Sequence, residues 1–396
     1  MEDWLKEIQK RTERVPVLGG HTKKWGKISF DDLVFVPAQL SKRPVDYYKE
    51  EISSKTIVGR FCKKPIELET PIIISAMSFG SLSKEAKIAL AKGATMAGTM
   101  TNTGEGGMLP EERENAKYLI IQYSTARFGI TEEVLKKADA IEIKIGQGAK
   151  PGQGGLLPGE KVTEEIAKVR NVPPRKDVHS PAYHPDIKSV EDLKEKIEWL
   201  REITGGVPII IKLAAGNVEE DVEFAVKANP DIIAIDGMEG ATGAAPEVMQ
   251  DEVGIPTLAA LVRARETLDK LGAKQELWIG GGLRKGGDVA KALALGADAV
   301  FMATSMLVAM GCIYCRLCHL GKCPVGLTTQ DEQFRQRLEI DEAAKKVASF
   351  IKNCTEEVKM IAGACGEKDI HDLKKDHLRA LTLEMSKIAK VKFIGE

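Results

Sequence analysis

Four of the seven cysteines stand within twelve residues, CIYCRLCHLGKC, at Cys312, Cys315, Cys318 and Cys323. Written C-x2-C-x2-C-x4-C-P, the run crowds four thiolates onto one loop, and crowded thiolates are ligands for soft or borderline metals. Structural zinc is one reading, although zinc ligands usually come as two separated pairs. Four in a single loop favour an iron–sulfur cluster, whose bacterial run ends C-x3-C-P and is one residue shorter. A disulfide frame does not suit the reducing cytoplasm in which this chain is expected. Cys62, Cys354 and Cys365 stand apart and read as buried, unreactive thiols.

A second stretch, IGGGLRKGGDVAKALALGADAVFMATS, has the makings of an anion cradle. Gly280, Gly281 and Gly282 let backbone N–H groups approach a phosphate closely. Ala303 and Thr304 offer further N–H groups at the start of the next helix, where the dipole favours negative charge. Asp288 is placed to steady the first turn of the helix between them. Gly triplets alone are common turns, but the whole spacing resembles that of FMN-dependent barrels, including 2-hydroxy-acid oxidases and type 2 isopentenyl diphosphate isomerases. A flavin suits other residues too. Lys212, closing PIIIKL, would set its ammonium beside flavin N1 and O2, stabilising the anionic reduced ring. The plain alternative for Lys212 is an ion pair at the barrel mouth. Gln122 would reach pyrimidine carbonyl and N–H groups, and Ser75, Ala76 and Met77 would lie against the ring.

The elements that must carry these residues are short β-branched runs at 71–75, 94–100, 117–123, 139–144, 208–213, 231–236, 276–280 and 298–303. Each is followed by turn residues and then by a helical pattern. Runs apolar on both faces belong to a parallel sheet covered by helices. Eight β–α alternations in roughly 250 residues make an α/β protein of the (β/α)8 TIM-barrel type. An open doubly wound sheet is the alternative, but no GxGxxG turn follows the first strand. Residues 1–65 form an N-terminal extension packing on the barrel, 66–311 the barrel, and 312–396 the cysteine loop and C-terminal helices. The Gly- and Pro-rich segment 145–189 leaves the C-terminal end of the fourth strand, where a lid or binding loop belongs. Lys and Arg number 57 against 58 Asp and Glu, so neither nucleic acid nor an anionic membrane is the expected partner. The charged start excludes a signal peptide, and the apolar run 299–315 is broken by Thr304, Ser305 and Gly311, too short and polar to span a membrane.

Six stretches in order, SAMSFGSLS (75–83), TNTGEGGM (101–108), RFGIT (127–131), EIKIGQGAKPGQGGLLPG (142–159), GGGLRKGGD and MGCIYCRLCHLGKCPVGLTTQ (310–330), resemble the FMN-binding synthase domain of glutamate synthase and its stand-alone relatives. The resemblance covers about 30–390. It implies that ammonia meets 2-oxoglutarate, that an imine forms, and that reduced FMN delivers hydride, with an iron–sulfur cluster feeding the flavin. It implies a [3Fe–4S] cluster on Cys312, Cys318 and Cys323; the added Cys315 admits [4Fe–4S], or else faces away. Around the oxo acid it places Glu105, Lys150 and Arg170, with Lys144 a further candidate. Two cationic anchors suit a dicarboxylate, and a carboxylate beside them suits proton transfer. The opposing reading makes Lys150 and Arg170 solvated charges of a lid.

Two departures leave the substrate open. Leu156 replaces the family's Gln, and the loop after strand six reads DGMEGATGAAP, bringing Asp236 and Glu239 toward the flavin face. Another 2-oxo acid, or methylamine as in N-methylglutamate synthase, fits these changes. With Glu2 where a glutaminase would have its nucleophilic Cys, ammonia is expected free or from a glutaminase subunit. Electrons are expected from ferredoxin or a reductase subunit, and a homo-oligomer stays open. A 2-hydroxy-acid oxidase would need a His base, and 237–246 contains none. An electron-relay subunit is the non-enzymatic alternative.

Overall fold

The computed structural model describes residues 2–13, 18–243 and 245–396. Eight parallel strands are built from the β-branched runs: β1 (Ile72–Ile74), β2 (Met100–Asn102), β3 (Tyr118–Tyr123), β4 (Ala140–Lys144), β5 (Ile209–Ala214), β6 (Ile232–Asp236), β7 (Glu276–Gly280) and β8 (Ala299–Met302). They hydrogen-bond in the order β1-β8-β7-β6-β5-β4-β3-β2. β1 and β2 meet at the seam without a ladder, where Thr99 Oγ1 donates to the Ile72 carbonyl at 2.6 Å. Helices α1 (Lys84–Ala97), α2 (Pro110–Asn115), α3 (Glu132–Leu135), α4 (Val190–Thr204), α5 (Val218–Ala228), α6 (Thr257–Leu271), α7 (Gly286–Ala294) and α8 (Thr304–Ala309) follow the strands in turn. This is the expected α/β barrel.

The second run corrects the sequence reading, because residues 94–97 finish α1 and only 100–102 pair as a strand. Ala-Thr-Met-Ala extends an Ala-rich helix more readily than it starts a strand. Gly98, at φ 69°, then caps the helix through its N–H to the Ala94 and Thr95 carbonyls.

Alternation along the strands decides what fills the barrel. Its inner cluster contains Ile73, Met100, Ile120, Ala140, Ile210, Ile232, Ala234, Trp278, Ala299 and Phe301. Val58, Ile66 and Leu68, from the antiparallel hairpin Thr56–Val58 and Ile66–Leu68, join that cluster and plug the barrel's base. Two residues on, the first six strands turn polar: Ser75, Asn102, Gln122, Glu142, Lys212 and Asp236 occupy the inward positions nearest the C-terminal ends, while β7 and β8 reach Gly280 and Ala303. The interior is thus apolar below and polar above.

The segment 145–189 is not a bare loop. It carries the small hairpin Leu156–Leu157 with Val178–His179 and a helix, Glu164–Arg170. Leu157, Val162, Ile166, Ala167 and Val178 form a satellite core with Phe79 and Leu109. Outside the barrel, the long helix α9 (Ile340–Ala364) lies against α1 so closely that a Cβ on Gly93 would sit 2.8 Å from Val347 and 3.0 Å from the Ala344 carbonyl. Among the described residues no helix is long and apolar enough to cross a membrane.

Gly93→Ala tests that packing. In an open helix the change stabilises by about 1 kcal/mol, but here overpacking should outweigh it and cost a net 1–2 kcal/mol or so in urea unfolding. A stabilised variant would show that α9 stands off from α1.

Candidate active site

The polar upper layer holds several of the expected flavin residues. Lys212 is buried, with its ammonium 3.4 Å from Ser75 Oγ and over the Phe301 ring. Gln122 Nε2 donates to Glu142 Oε1 at 2.5 Å, and both side chains are buried. Glu142 Oε2 and Asn102 Nδ2 are buried with no partner among the described residues. Donors and acceptors left unused in a buried layer are what a polar ring system would satisfy. Glu142 and Asn102 were not singled out from sequence; an acid inside the apolar run AIEIK was the available signal. Ala76 and Met77 continue from β1 beside this layer, half-buried.

Above it, three cations gather around one carboxylate. Lys144, ending β4, donates to Glu105 Oε2 at 2.8 Å and to Gln147 Oε1 at 2.7 Å. Burial alone would push the Glu105 carboxyl up, but Lys144, with Lys150 and Arg170 nearby, holds it below the usual carboxylate range. Lys150 is only 6% exposed and Arg170 3%, so neither is a solvated lid charge. Burial lowers Lys150 to about 8, against the pull of Glu105 and with the help of Lys144. Burial lowers Arg170 to about 10, again opposed by Glu105. Arg170 Nη2 donates to the Phe79 carbonyl at 2.6 Å, while its Nε has no partner among the described residues. Three cations less one carboxylate leave the cluster two positive charges in excess.

Glycines let the chain reach this position. Gly148 donates its N–H to Asp236 Oδ2 at 2.9 Å, crossing the end of β6 where a Cβ would collide with the Gly237 carbonyl. Gly155 lies directly on Glu105, and a Cβ there would strike Oε1. Leu156, which replaces the family's Gln, is 52% exposed on the hairpin.

Two buried residues fix the surrounding loops. Lys87 of α1 is wholly buried, 2.8 Å from Glu112 Oε1, and donates to the carbonyls of Met77 (2.6 Å), Asn102 (2.8 Å) and Thr103 (3.3 Å). It thereby ties the loops after β1 and β2 together. Sequence reading passed it over, although a Lys in one stripe with Leu90, Ala94 and Ala97 is itself a signal. His184 stacks on Tyr123 and bonds the Lys144 carbonyl through Nε2 at 2.9 Å. A carbonyl only accepts, so Nε2 carries the proton.

At the glycine turn, Gly281 (φ 114°) and Gly282 (φ 73°) adopt conformations that L side chains avoid. Gly280 ends β7, and Ala303 precedes α8, which Thr304 begins; Ser305 Oγ bonds the Leu283 carbonyl and joins the two loops. Asp288 is buried and accepts from the N–H and Nε of Arg284, so it orders this turn. Glu239 faces the start of α6, accepting from Thr257 N (2.8 Å) and Oγ1 (2.6 Å), and burial raises its pKa. Asp236 is engaged by Gly148; Ala244 of the same loop lies outside the described residues.

The cysteine loop brings its sulfurs near one another. Burial, and then Cys318, Cys323 and Cys315 nearby, push the Cys312 thiol up, while the Tyr314 N–H points at its sulfur at 3.4 Å. Among the described residues no three His, Cys, Asp or Glu side chains converge on a single point that would hold one metal ion. Tyr314 (φ 56°) and Arg316 (φ 58°) flank Cys315 in left-handed backbone, a costly geometry for residues with a Cβ. The stretch 310–330 contains Arg316 and Lys322 but no acid, which suits an anionic all-sulfur site. Cys354 and Cys365 are buried and pushed by burial to about 12 and 11; Cys62 is half-buried and raised to about 11.

A cavity of about 1040 Å³ opens at the other end of the barrel, lined by Phe61, Trp199 and Arg201 among others. There Arg201 pairs with both Glu198 and Asp231, so carboxylates surround a cation, the reverse of the arrangement at the mouth.

Comparison with known proteins agrees with the motifs. The family described as "Conserved region in glutamate synthase" matches residues 21–368. A "Glutamate synthase large subunit-like protein" of Rhizobium meliloti (strain 1021) is 44% identical, over 92% of this chain and 87% of that one. An "Archaeal glutamate synthase (NADPH)" of Archaeoglobus fulgidus is 40% identical, over 96% of this chain and 80% of that one. Among solved structures, a mandelate oxidase bound to (S)-mandelic acid shares the fold, with a TM-score of 0.56 at 16% identity over 91% of this chain and 90% of that one.

The buried cluster predicts its own titration. Competitive acetylation across pH, read by peptide mass spectrometry, should give Lys150 a midpoint near 8, and Glu105→Gln should move it lower because that carboxylate holds it up. A midpoint at the ordinary lysine value of about 10.4 would contradict the burial.

Proposed function

The chain belongs to the glutamate synthase family, and we propose that it is an FMN- and iron–sulfur-dependent oxidoreductase that aminates a 2-oxo dicarboxylate, 2-oxoglutarate, to L-glutamate. The observation that carries this reading is the excess of two positive charges around Glu105 in a buried site. A dicarboxylate is the complementary ligand, and desolvated cations gain most from meeting it. Arg170, with Nε unpartnered, is the fork for one carboxylate; Lys144 and Lys150 face the rest of the substrate. Glu105 exchanges protons with the incoming nitrogen and the departing hydroxyl.

The upper layer fits FMN: Gln122, Glu142 and Asn102 offer polar atoms to its pyrimidine edge, and Lys212 offers a positive charge. Gly280, Gly281 and Gly282 with Ala303 and Thr304 are the phosphate end. A bound flavin supplies hydride to the imine carbon. The chain's residues orient that carbon, keep water out and manage protons. Cys312, Cys315, Cys318 and Cys323 would hold the cluster, which would supply the entry for electrons from ferredoxin or a reductase partner, while ammonia would come free or from a glutaminase partner. Leu156 offers no hydrogen bond to the oxo acid, so recognition falls on the cations.

The decisive assay is anaerobic. After reduction of the flavin, 2-oxoglutarate with ammonium should reoxidise it and yield glutamate in stoichiometric amount. If flavin and iron are both present and no reoxidation follows, the amination of 2-oxoglutarate is wrong and other oxo acids and amines must be screened. The cluster is testable separately. The four-cysteine run predicts a [4Fe–4S] cluster that Cys315→Ser converts to a three-iron form visible by electron paramagnetic resonance. An unchanged spectrum would mean that Cys315 is not a ligand.

A further inference from the structure

Every other buried or half-buried cation of the cluster and its supporting layer has a partner. Lys144 holds Glu105 and Gln147, Lys87 holds Glu112 and three carbonyls, Lys212 reaches Ser75, and Arg170 holds the Phe79 carbonyl. Lys150 is buried to the same degree, yet its ammonium makes no hydrogen bond or ion pair with any described residue. It stands beside Lys144, a like charge, and within electrostatic reach of Glu105, a proton acceptor. A lysine desolvated next to another cation is the arrangement that activates amines as nucleophiles toward carbonyl carbon. An anchor needs no such environment, since a fully charged lysine binds a carboxylate better.

We propose that Lys150 is a covalent catalytic residue that condenses with the oxo carbon of the substrate to form a protonated imine, which ammonia then displaces. The inference rests on the 2-oxo acid reading above. The Lys150 ammonium passes a proton to the Glu105 carboxylate, the freed Nζ lone pair adds to the carbonyl carbon, a second proton shifts from that nitrogen to the oxygen, and the hydroxyl leaves as water with the proton Glu105 had taken. Ammonia adds to the iminium carbon, and the Nζ–C bond breaks as Lys150 departs with a proton relayed through Glu105. The sum is oxo acid plus ammonia giving imino acid plus water, with no electron transferred and Lys150 returned unchanged. The fraction of Lys150 in the amine form near neutral pH, set by its lowered value of about 8, supplies the nucleophile. The protonated imine keeps the lysine's positive charge, so the site's excess charge still faces the dicarboxylate throughout.

Borohydride trapping tests this on the flavin-loaded wild-type protein. With 2-oxoglutarate and no ammonium, reduction should fix one substrate on Lys150, located by peptide mass spectrometry. Ammonium added first should reduce the adduct at least about tenfold by draining the imine. Lys150→Arg keeps the charge but cannot condense; it should bind 2-oxoglutarate within about tenfold of wild type and lose about 10²-fold or more in turnover. A wild-type protein that makes glutamate without an adduct, or an Arg variant with near-normal turnover, overturns the covalent role and leaves the amination reading intact. An adduct without glutamate supports Lys150 as the carbonyl-condensing residue and rejects the amination. Neither adduct nor glutamate overturns both.

Discussion

Gathering three largely buried cations around a single carboxylate is the constraint on which the rest of this molecule turns. Lys150 illustrates its size. A shift from an ordinary lysine value to about 8 corresponds to about 3 kcal/mol against folding at neutral pH. That is a large share of the 5–15 kcal/mol or so that an ordinary domain has in hand. Such a site persists only where surrounding structure leaves no easier arrangement. The glycines at 148 and 155 supply one part of that enforcement, because only a chain without Cβ atoms can lie on the end of β6 and on Glu105 at once. The satellite core of Leu157, Val162, Ile166 and Val178 supplies another, burying apolar surface that holds the segment down against the repulsion beneath it.

The same scaffold joins the charged cluster to the cysteine loop. The turn after β1 receives Arg170 from one side at the Phe79 carbonyl. From the other side Gln330 donates to the carbonyls of Gly80 and Leu82, and Ser83 Oγ donates to Gly326. Lys161, from the segment that carries Arg170, donates to the Cys318 carbonyl at 2.7 Å. Beneath, Lys87 grips Met77 and the β2 loop. The turn that would lie against a flavin is therefore fixed from three directions, by the substrate segment, the cysteine segment and the barrel itself. Rigid support of this kind is what holds reacting groups at fixed separations.

The barrel was legible because β-branched runs separated by helical patterns admit few architectures, and the inner positions alternate as a parallel barrel demands. Where the reading slipped, at 94–100, the residues had two uses: Ala94–Ala97 serve the helix and Met100 the strand, and composition alone does not mark the border at Gly98. The charged residues of the site were legible only through motifs, since spacing does not tell a buried Lys150 from a solvated one. That distinction arises from packing between segments far apart in sequence. Glu142, Asn102 and Lys87 were missed for a related reason. Each is polar at a position whose periodicity marks it as interior, and a search for chemistry in loops overlooks chemistry on the walls.

The two ends of the barrel carry the final step. Both are rich in charge, and the base has a cavity of about 1040 Å³, yet only at the mouth do several largely buried cations gather round one carboxylate. At the base Arg201 sits between Glu198 and Asp231, so its charge is answered within the protein. At the mouth Lys144, Lys150 and Arg170 share the one carboxylate of Glu105. Volume therefore does not identify the working end of this molecule. Uncompensated charge does, because it is the one feature that costs the fold stability and that an anionic substrate relieves on binding.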